Sequence, residues 1–210
     1  MGRWPMTMLY RLDADAERIA AHFGALAGAD PWSGGTIAPG QFAPVITTGR
    51  DAMAGPRQPG QPRRLVPRLW GVPPPPAARD PGRSVLTVRN PESPFWIGNL
   101  RNSEFRCLVP ASGLMEWGKG HDAEGKRRRH WLGCADQPLF ALAGVWKDSE
   151  VPGFALLSCE PNAHLRALGR EAMPVILPPD PTAWQVWLCG NWDRAARLIA
   201  PYSSSLMIEI

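Results

Sequence analysis

Residues 106–117 read Arg106-Cys107-Leu108-Val109-Pro110-Ala111-Ser112-Gly113-Leu114-Met115-Glu116-Trp117. Two short apolar runs, 105–110 and 114–117, flank the Ser112-Gly113 pair and read as neighbouring strands. One carboxylate interrupts the second run. A buried Glu116 must be paired or must keep its proton, which raises its pKa and makes it a candidate acid or base. Two other readings stand beside that one: a salt bridge to a nearby arginine, or a strand position that alternates outward.

Outward from this stretch, 24 prolines and 21 glycines divide the chain into short pieces. Residues 43–48, 64–70, 84–89, 129–134, 139–146 and 154–158 read as further strands, spaced as in an antiparallel sheet or barrel. The run Pro73–Pro76 stops any strand. Asp13–Gly28 is the clearest helix, with Ile19, Ala20, Phe23, Leu26 and Ala27 on one face and Gly28 as its stop. Residues 29–43 and 49–62 read as loops. Helices are predicted again at 162–168, at 180–188 behind Asp180-Pro181, and at 192–200, with a closing strand at 206–210. The charged segment 119–129, KGHDAEGKRRR, has no apolar face and reads as a hairpin tip or loop. The expectation is an α+β fold with a β-rich centre, one domain over residues 1–210.

Composition narrows the function classes. Hydrophobic content of 44% and charged content of 20% are those of an ordinary soluble protein. No apolar run reaches the roughly 18 residues of a membrane span, and the N-terminus has no signal-peptide core, so a cytoplasmic protein is expected. Cys107, Cys134, Cys159 and Cys189 form no CxxC pair and read as buried free thiols. His22, His121, His130 and His164 share no metal-ligand spacing, and neither a metal nor a cofactor is expected. The net charge of +4 rests mainly on arginine, whose planar fork suits phosphate, and it permits an anionic partner such as nucleic acid.

Five residues besides Glu116 invite a chemical reading. Arg89, after a strand-like run, reads as a phosphate ligand or as an ordinary surface arginine. Trp70, just before Gly71 and the four prolines, is the tryptophan expected at an exposed rim, where its ring would stack on a base. Trp96, Trp117, Trp131 and Trp146 read as core. Ser112, Ser158 and Thr7 are possible nucleophiles, but no GxSxG or SxxK pattern marks a conventional hydrolase.

Several stretches, in order, resemble the SOS-response-associated peptidase (abasic-site-processing) family. Ile37-Ala38-Pro39 with Ala43-Pro44-Val45 resembles its "APT…PVV" opening, and Leu69–Pro73 its "WGLIP" element. Residues 106–117 resemble "RCLVPAxGFYEW", Ala141–Trp146 resembles "FAGLW", and Ser158–Asn162 with Ala172–Leu177 resembles "TTxAN…HxRMPVIL". The four prolines, Arg89–Trp96 and Glu171–Leu177 are most similar to a proteobacterial branch. The resemblance implies one α+β domain with a β-barrel-like antiparallel core, peripheral helices and a basic cleft. It also implies a monomer of the DNA-damage (SOS) response that binds single-stranded DNA at abasic sites. In active members an N-terminal cysteine attacks the aldehyde of the abasic sugar, and a glutamate, an asparagine and a histidine assist.

On this chain the resemblance carries the cysteine to Thr7, behind an extension at residues 1–6. It carries the asparagine to Thr87, the histidine to Gly169 or Arg170, and the glutamate to Glu116. Pro39, Trp70, Gly71, Arg89, Ser158, Met173 and Pro174 take cleft positions. Three functions remain open. In one, the α-amine of Thr7, exposed by a start at Met6, forms a Schiff base and supports peptidase- or lyase-type DNA–protein crosslinking. In another, single-stranded or abasic DNA is bound without a covalent step. In the last, the fold is kept for an unrelated task.

Overall fold

The structure is a computed structural model and describes residues 8–48, 62–78, 80, 82–121 and 123–210. In chain order the first half holds β1 (Leu9–Leu12), α1 (Ala16–Phe23), β2 (Ala25–Leu26), β3 (Gly35–Ile37), β4 (Phe42–Thr48), β5 (Arg63–Trp70), β6 (Thr87–Val88) and α2 (Ile97–Arg101). The second half holds β7 (Arg106–Ala111), β8 (Gly113–His121), β9 (Arg127–Cys134), β10 (Phe140–Lys147), β11 (Gly153–Cys159), α3 (Ala163–Ala167), β12 (Met173–Pro174), α4 (Pro181–Cys189), α5 (Trp192–Ala196) and β13 (Met207–Glu209).

Two sheets organise these elements. One is antiparallel, in the order β13-β9-β8-β1-β3. The other runs β12-β11-β10-β7-β4-β5-β2, with β6 added to β11. A parallel pairing of β5 with β11, Leu69 opposite Gly153 and Trp70 opposite Phe154, closes β11, β10, β7, β4 and β5 into a ring. The sheet is therefore mixed, not the antiparallel barrel-like core expected: β2–β5, β5–β11 and β6–β11 all run parallel. A hairpin cannot make such pairs, because parallel neighbours need a long crossover. The helices sit around the periphery of this α+β fold, and the apolar side chains of both sheets merge in one core.

Local chemistry explains where the elements end. Asp15 caps α1 by accepting from the Arg18 amide at 2.8 Å, and Ile19, Ala20 and Phe23 are buried. The helix stops at Gly24, in the left-handed region at φ 60°, not at Gly28. Residues 25 and 26 then turn into a strand, so the expected apolar face loses Leu26 to solvent. The expected loop at 29–43 contains β3 and the start of β4, while residues 49–61 lie outside the description. Asp180 caps α4, as the sequence predicts, and Asn162, expected as the first helical residue, caps α3 instead, whereas α5 ends four residues early. The free thiols divide: Cys107 and Cys134 are buried, Cys159 is half-buried, and Cys189 is exposed.

Trp70 overturns the rim expectation. It is 0% exposed, edge-on to Tyr10 at 5.1 Å between ring centroids and stacked with Phe154 at 6.3 Å. Its indole N–H donates to the Leu86 carbonyl at 3.3 Å. The ring sits inside because the chain at Gly71 turns inward at φ 141°, and the Gly71 amide bonds the Phe154 carbonyl at 3.0 Å. Where the ring closes, a Cβ on Gly153 would stand 2.2 Å from the Gly71 carbonyl oxygen. Gly153→Ala must pry β5 from β11, and a loss of about 1–3 kcal/mol or more is expected as overpacking against backbone. Urea unfolding checks this; an unchanged midpoint would mean that the two strands do not meet as tightly as described.

Candidate functional site

A cavity of about 520 Å³ opens between the ring and the antiparallel sheet. On the ring side, β11 forms the floor. β6 joins it in parallel, Leu156 opposite Thr87 and Leu157 opposite Val88, and this brings Arg89 to the mouth. On the other edge of β11, Ser158 faces Pro174 and Cys159 faces Met173. The Ser158 hydroxyl donates to the Val88 carbonyl at 3.1 Å, so it holds β6 in place and its own proton is engaged. Arg83, Ser84 and Leu86 complete this side.

The antiparallel sheet supplies the opposite wall. Leu9 of β1 pairs with Met115 of β8, which sets Met8 and Glu116 together on the lining. Glu116 is 2% exposed and Arg170 closes over it, with Nε 2.6 Å from Oε2. Both of the first two sequence readings of Glu116 therefore hold: it is buried, and it is paired with an arginine. The outward-facing alternative is excluded. Burial pushes the Glu116 carboxyl up to about 7, with Arg170 pulling the other way. Such a carboxyl can hold or release a proton near neutral pH.

The turn after α3 aims Arg170. Gly169 adopts φ 80°, its amide bonds the Arg166 carbonyl, and the Arg170 amide bonds that of Leu165. A Cβ on Gly169 would lie 2.6 Å from Cε of Lys119, so the lysine stem crosses directly over the glycine. Of the two residues, Gly169 and Arg170, it is Arg170 whose side chain stands beside Glu116.

The cavity gathers Glu116, Arg89, Ser158, Met173 and Pro174 from the expected set, together with Thr87 and Arg170. It does not gather Pro39, Trp70 or Gly71. Gly71 lies one layer behind, where a Cβ would touch Ser84 at 3.0 Å, and Trp70 belongs to the core. Pro39 is in the turn before β4, whose Gly40 amide bonds the Trp70 carbonyl at 2.8 Å. Thr7 lies outside the described residues. Sequence reading missed Met8, Arg83 and Ser84; within Asp80-Pro81-Gly82-Arg83, a turn signature, nothing marks the arginine as a cleft residue. Among the described residues no group of His, Cys, Asp or Glu is placed to hold a metal, and no helix is long and apolar enough to cross a membrane.

The fold is shared with solved structures of low sequence identity. A protein from Bacteroides thetaiotaomicron superposes with a TM-score of 0.72 at 18% identity, over 96% of this chain and 90% of that one. A protein from Bordetella bronchiseptica gives 0.71 at 18%, over 96% and 98%, and a phage-related protein from the same organism gives 0.67 at 18%, over 96% and 92%. Residues 6–209 match the model of the family SOS response associated peptidase (SRAP), and the chain belongs to that family. No curated protein matches it.

Proposed function

We propose that this cleft binds single-stranded DNA and takes an abasic site as its lesion, in a monomer acting in the cytoplasm as part of the DNA-damage (SOS) response. The observation that carries this reading is the polar lining of the cavity. Three arginines, Arg83, Arg89 and Arg170, line it together with one buried acid, Glu116, which Arg170 pairs. Arginine forks match phosphate oxygens two at a time, and a strand laid across Arg83 and Arg89 would release counterions as it bound. Met8, Leu86, Leu156 and Met173 give the interior an apolar wall against which a baseless sugar can rest. Glu116, titrating near 7, is equipped to move a proton between the anomeric hydroxyl and the ring oxygen when such a sugar opens to its aldehyde.

Binding without covalent capture is the favoured form of this reading. Arg170, one of the two positions to which the resemblance carries the histidine, is committed to an ion pair with Glu116, and no imidazole stands there to relay a proton. A second reading rests on Met8, which lines the cavity beside Glu116. If the chain begins at Met6, the α-amine of Thr7 becomes available, and attack on the aldehyde followed by loss of water would give a Schiff base.

The test is to mix the chain started at Met1, and again at Met6, with an abasic single-stranded oligonucleotide. Both are expected to bind, with affinity falling as salt rises, and neither to leave an adduct after borohydride. An adduct from the Met6 form that disappears in Glu116→Gln would establish the second reading instead. Absence of binding at low salt would remove DNA from the function altogether. Arg89→Gln, which deletes one charge-assisted phosphate contact, is expected to weaken binding about tenfold or more. Equal affinity would return Arg89 to the ordinary surface.

A further inference from the structure

The ion pair of Arg170 with Glu116 lies on the lining of the cavity itself, where Arg83 and Arg89 are the other charged groups. Its two members are unequal. Arg170 keeps 13% of its side-chain surface exposed against 3% for Glu116, so the arginine is the member that a ligand reaches first. It is also the member with freedom to move. Its backbone follows the left-handed turn at Gly169, outside any helix or strand, whereas Glu116 is fixed within β8 between β1 and β9.

The other groups that face Glu116 are few. On β1, Met8 lines the cavity, and Tyr10 stands opposite Leu114 on the same face, a fully buried phenol that burial holds in its neutral form. Along β8 that face continues into Gly118 and Gly120, which carry no charge. On β9, His130 is directly opposite Glu116, with Nδ1 2.8 Å from Oε1 of Glu209 and its ring laid over Gly118. Arg128 lies against Gly120, and Lys119 lies against Gly169. The cation in contact with the carboxylate is Arg170.

An arriving anion acts on the two partners in opposite ways. A phosphate oxygen competes with Oε2 for the guanidinium, whose planar fork accommodates it. Glu116 then loses a cation and gains an anion as neighbour, and both changes favour its neutral form. A buried acid so placed takes a proton from water rather than stay charged.

We propose that the Arg170–Glu116 pair is a latch opened by the ligand's own phosphate: the diester draws Arg170 off the carboxylate, and Glu116 takes up a proton from water in response. This rests on the nucleic-acid reading of the cleft and adds a switch to it. In the empty cavity the acid is engaged; with a strand bound it is released and protonated. Glu116 therefore meets an abasic sugar as a proton donor. As the ring C–O bond breaks, its proton passes to the ring oxygen, and the anomeric hydroxyl returns one as the aldehyde forms, so no proton is consumed. A ligand without phosphate leaves the latch shut.

The experiment is titration calorimetry of the full chain with an abasic single-stranded oligonucleotide at pH 7.5, in two buffers of different ionisation heat. The dependence of the binding heat on the buffer gives the protons taken up per strand bound. With the Glu116 carboxyl at about 7 in the free protein, and about 1–3 higher once a paired arginine is lost, uptake of about 0.5–0.8 proton is expected. By linkage, affinity near this pH should fall about three- to sixfold per pH unit. Glu116→Gln should bind without the uptake, and His130→Gln with it. In the unmodified protein the carbon-13 signal of the Glu116 carboxyl should move to its protonated position when the strand is added. Uptake that survives in Glu116→Gln, or a strand that binds with no proton taken up and no movement of that signal, excludes the latch while the cleft reading stands. If the unmodified protein does not bind the strand, both fall together.

Discussion

Replacing Trp70 with alanine is expected to cost about 3–5 kcal/mol of folding stability, the range for removing a large aromatic from a close-packed core. The side chain is fully buried and touches the rings of both Tyr10 and Phe154. It also sits where the parallel pairing of β5 with β11 closes the ring, so its loss weakens a junction between segments about eighty residues apart. Urea unfolding measures the effect, and Trp70→Phe, which keeps most of the volume and removes only the indole donor from a Leu86 carbonyl that still accepts from the Leu156 amide, should lose a smaller part of it. The competing expectation, a ring on an exposed rim that stacks on a base, makes the opposite prediction. Under it Trp70→Ala would weaken single-strand binding and leave the unfolding midpoint almost unmoved.

Trp70 also illustrates what a sequence conceals. Beside Gly71 and four prolines, a tryptophan at the end of an apolar run looks like a residue leaving the sheet. Only the long-range bond from Gly71 to Phe154, made across the parallel closure, turns the ring inward. Strands β4, β5 and β7 to β11 were legible because each is a run of branched and aromatic residues between turn signals. Strands β3 and β12 were not, because two or three residues carry no periodicity and they exist only as additions to longer neighbours, while the strand expected at 84–89 is realised only as the two residues of β6. The same holds for the closure itself, since local pattern does not report which distant strands meet in parallel. At the site, Glu116 was legible as a lone acid in an apolar run. Arg170 was visible only as one of two choices, and its contact with Glu116 depends on the left-handed turn at Gly169, which no local pattern announces.

Removing Arg170 is expected to do most damage in alkaline solution. Arg170→Met leaves Glu116 buried without the partner 2.6 Å away, and breaking a buried pair by taking one member costs about 3–5 kcal/mol when the other must stay charged. Below the pKa of Glu116 the carboxyl holds a proton, no charge is stranded, and the cost shrinks. The unmodified protein already has this pH dependence in milder form. Its Glu116 carboxyl is raised from 4.5 to about 7 on folding, so the native state binds the proton more tightly than the unfolded chain. That advantage is fully present below about 4.5 and is lost as pH rises through about 7, in all about 3 kcal/mol. Glu116→Gln abolishes the titration, so its stability relative to the unmodified protein should improve steadily across that window. Pairing the substitutions gives the decisive comparison. Arg170→Met should be rescued by Glu116→Gln at pH 8 and hardly changed by it at pH 5, because only at the higher pH is there a stranded charge to remove. If Arg170→Met costs the same at both pH values and the second substitution restores nothing, the two side chains are not coupled. The raised pKa of Glu116 would then rest on burial alone, with no opposing pull from the arginine.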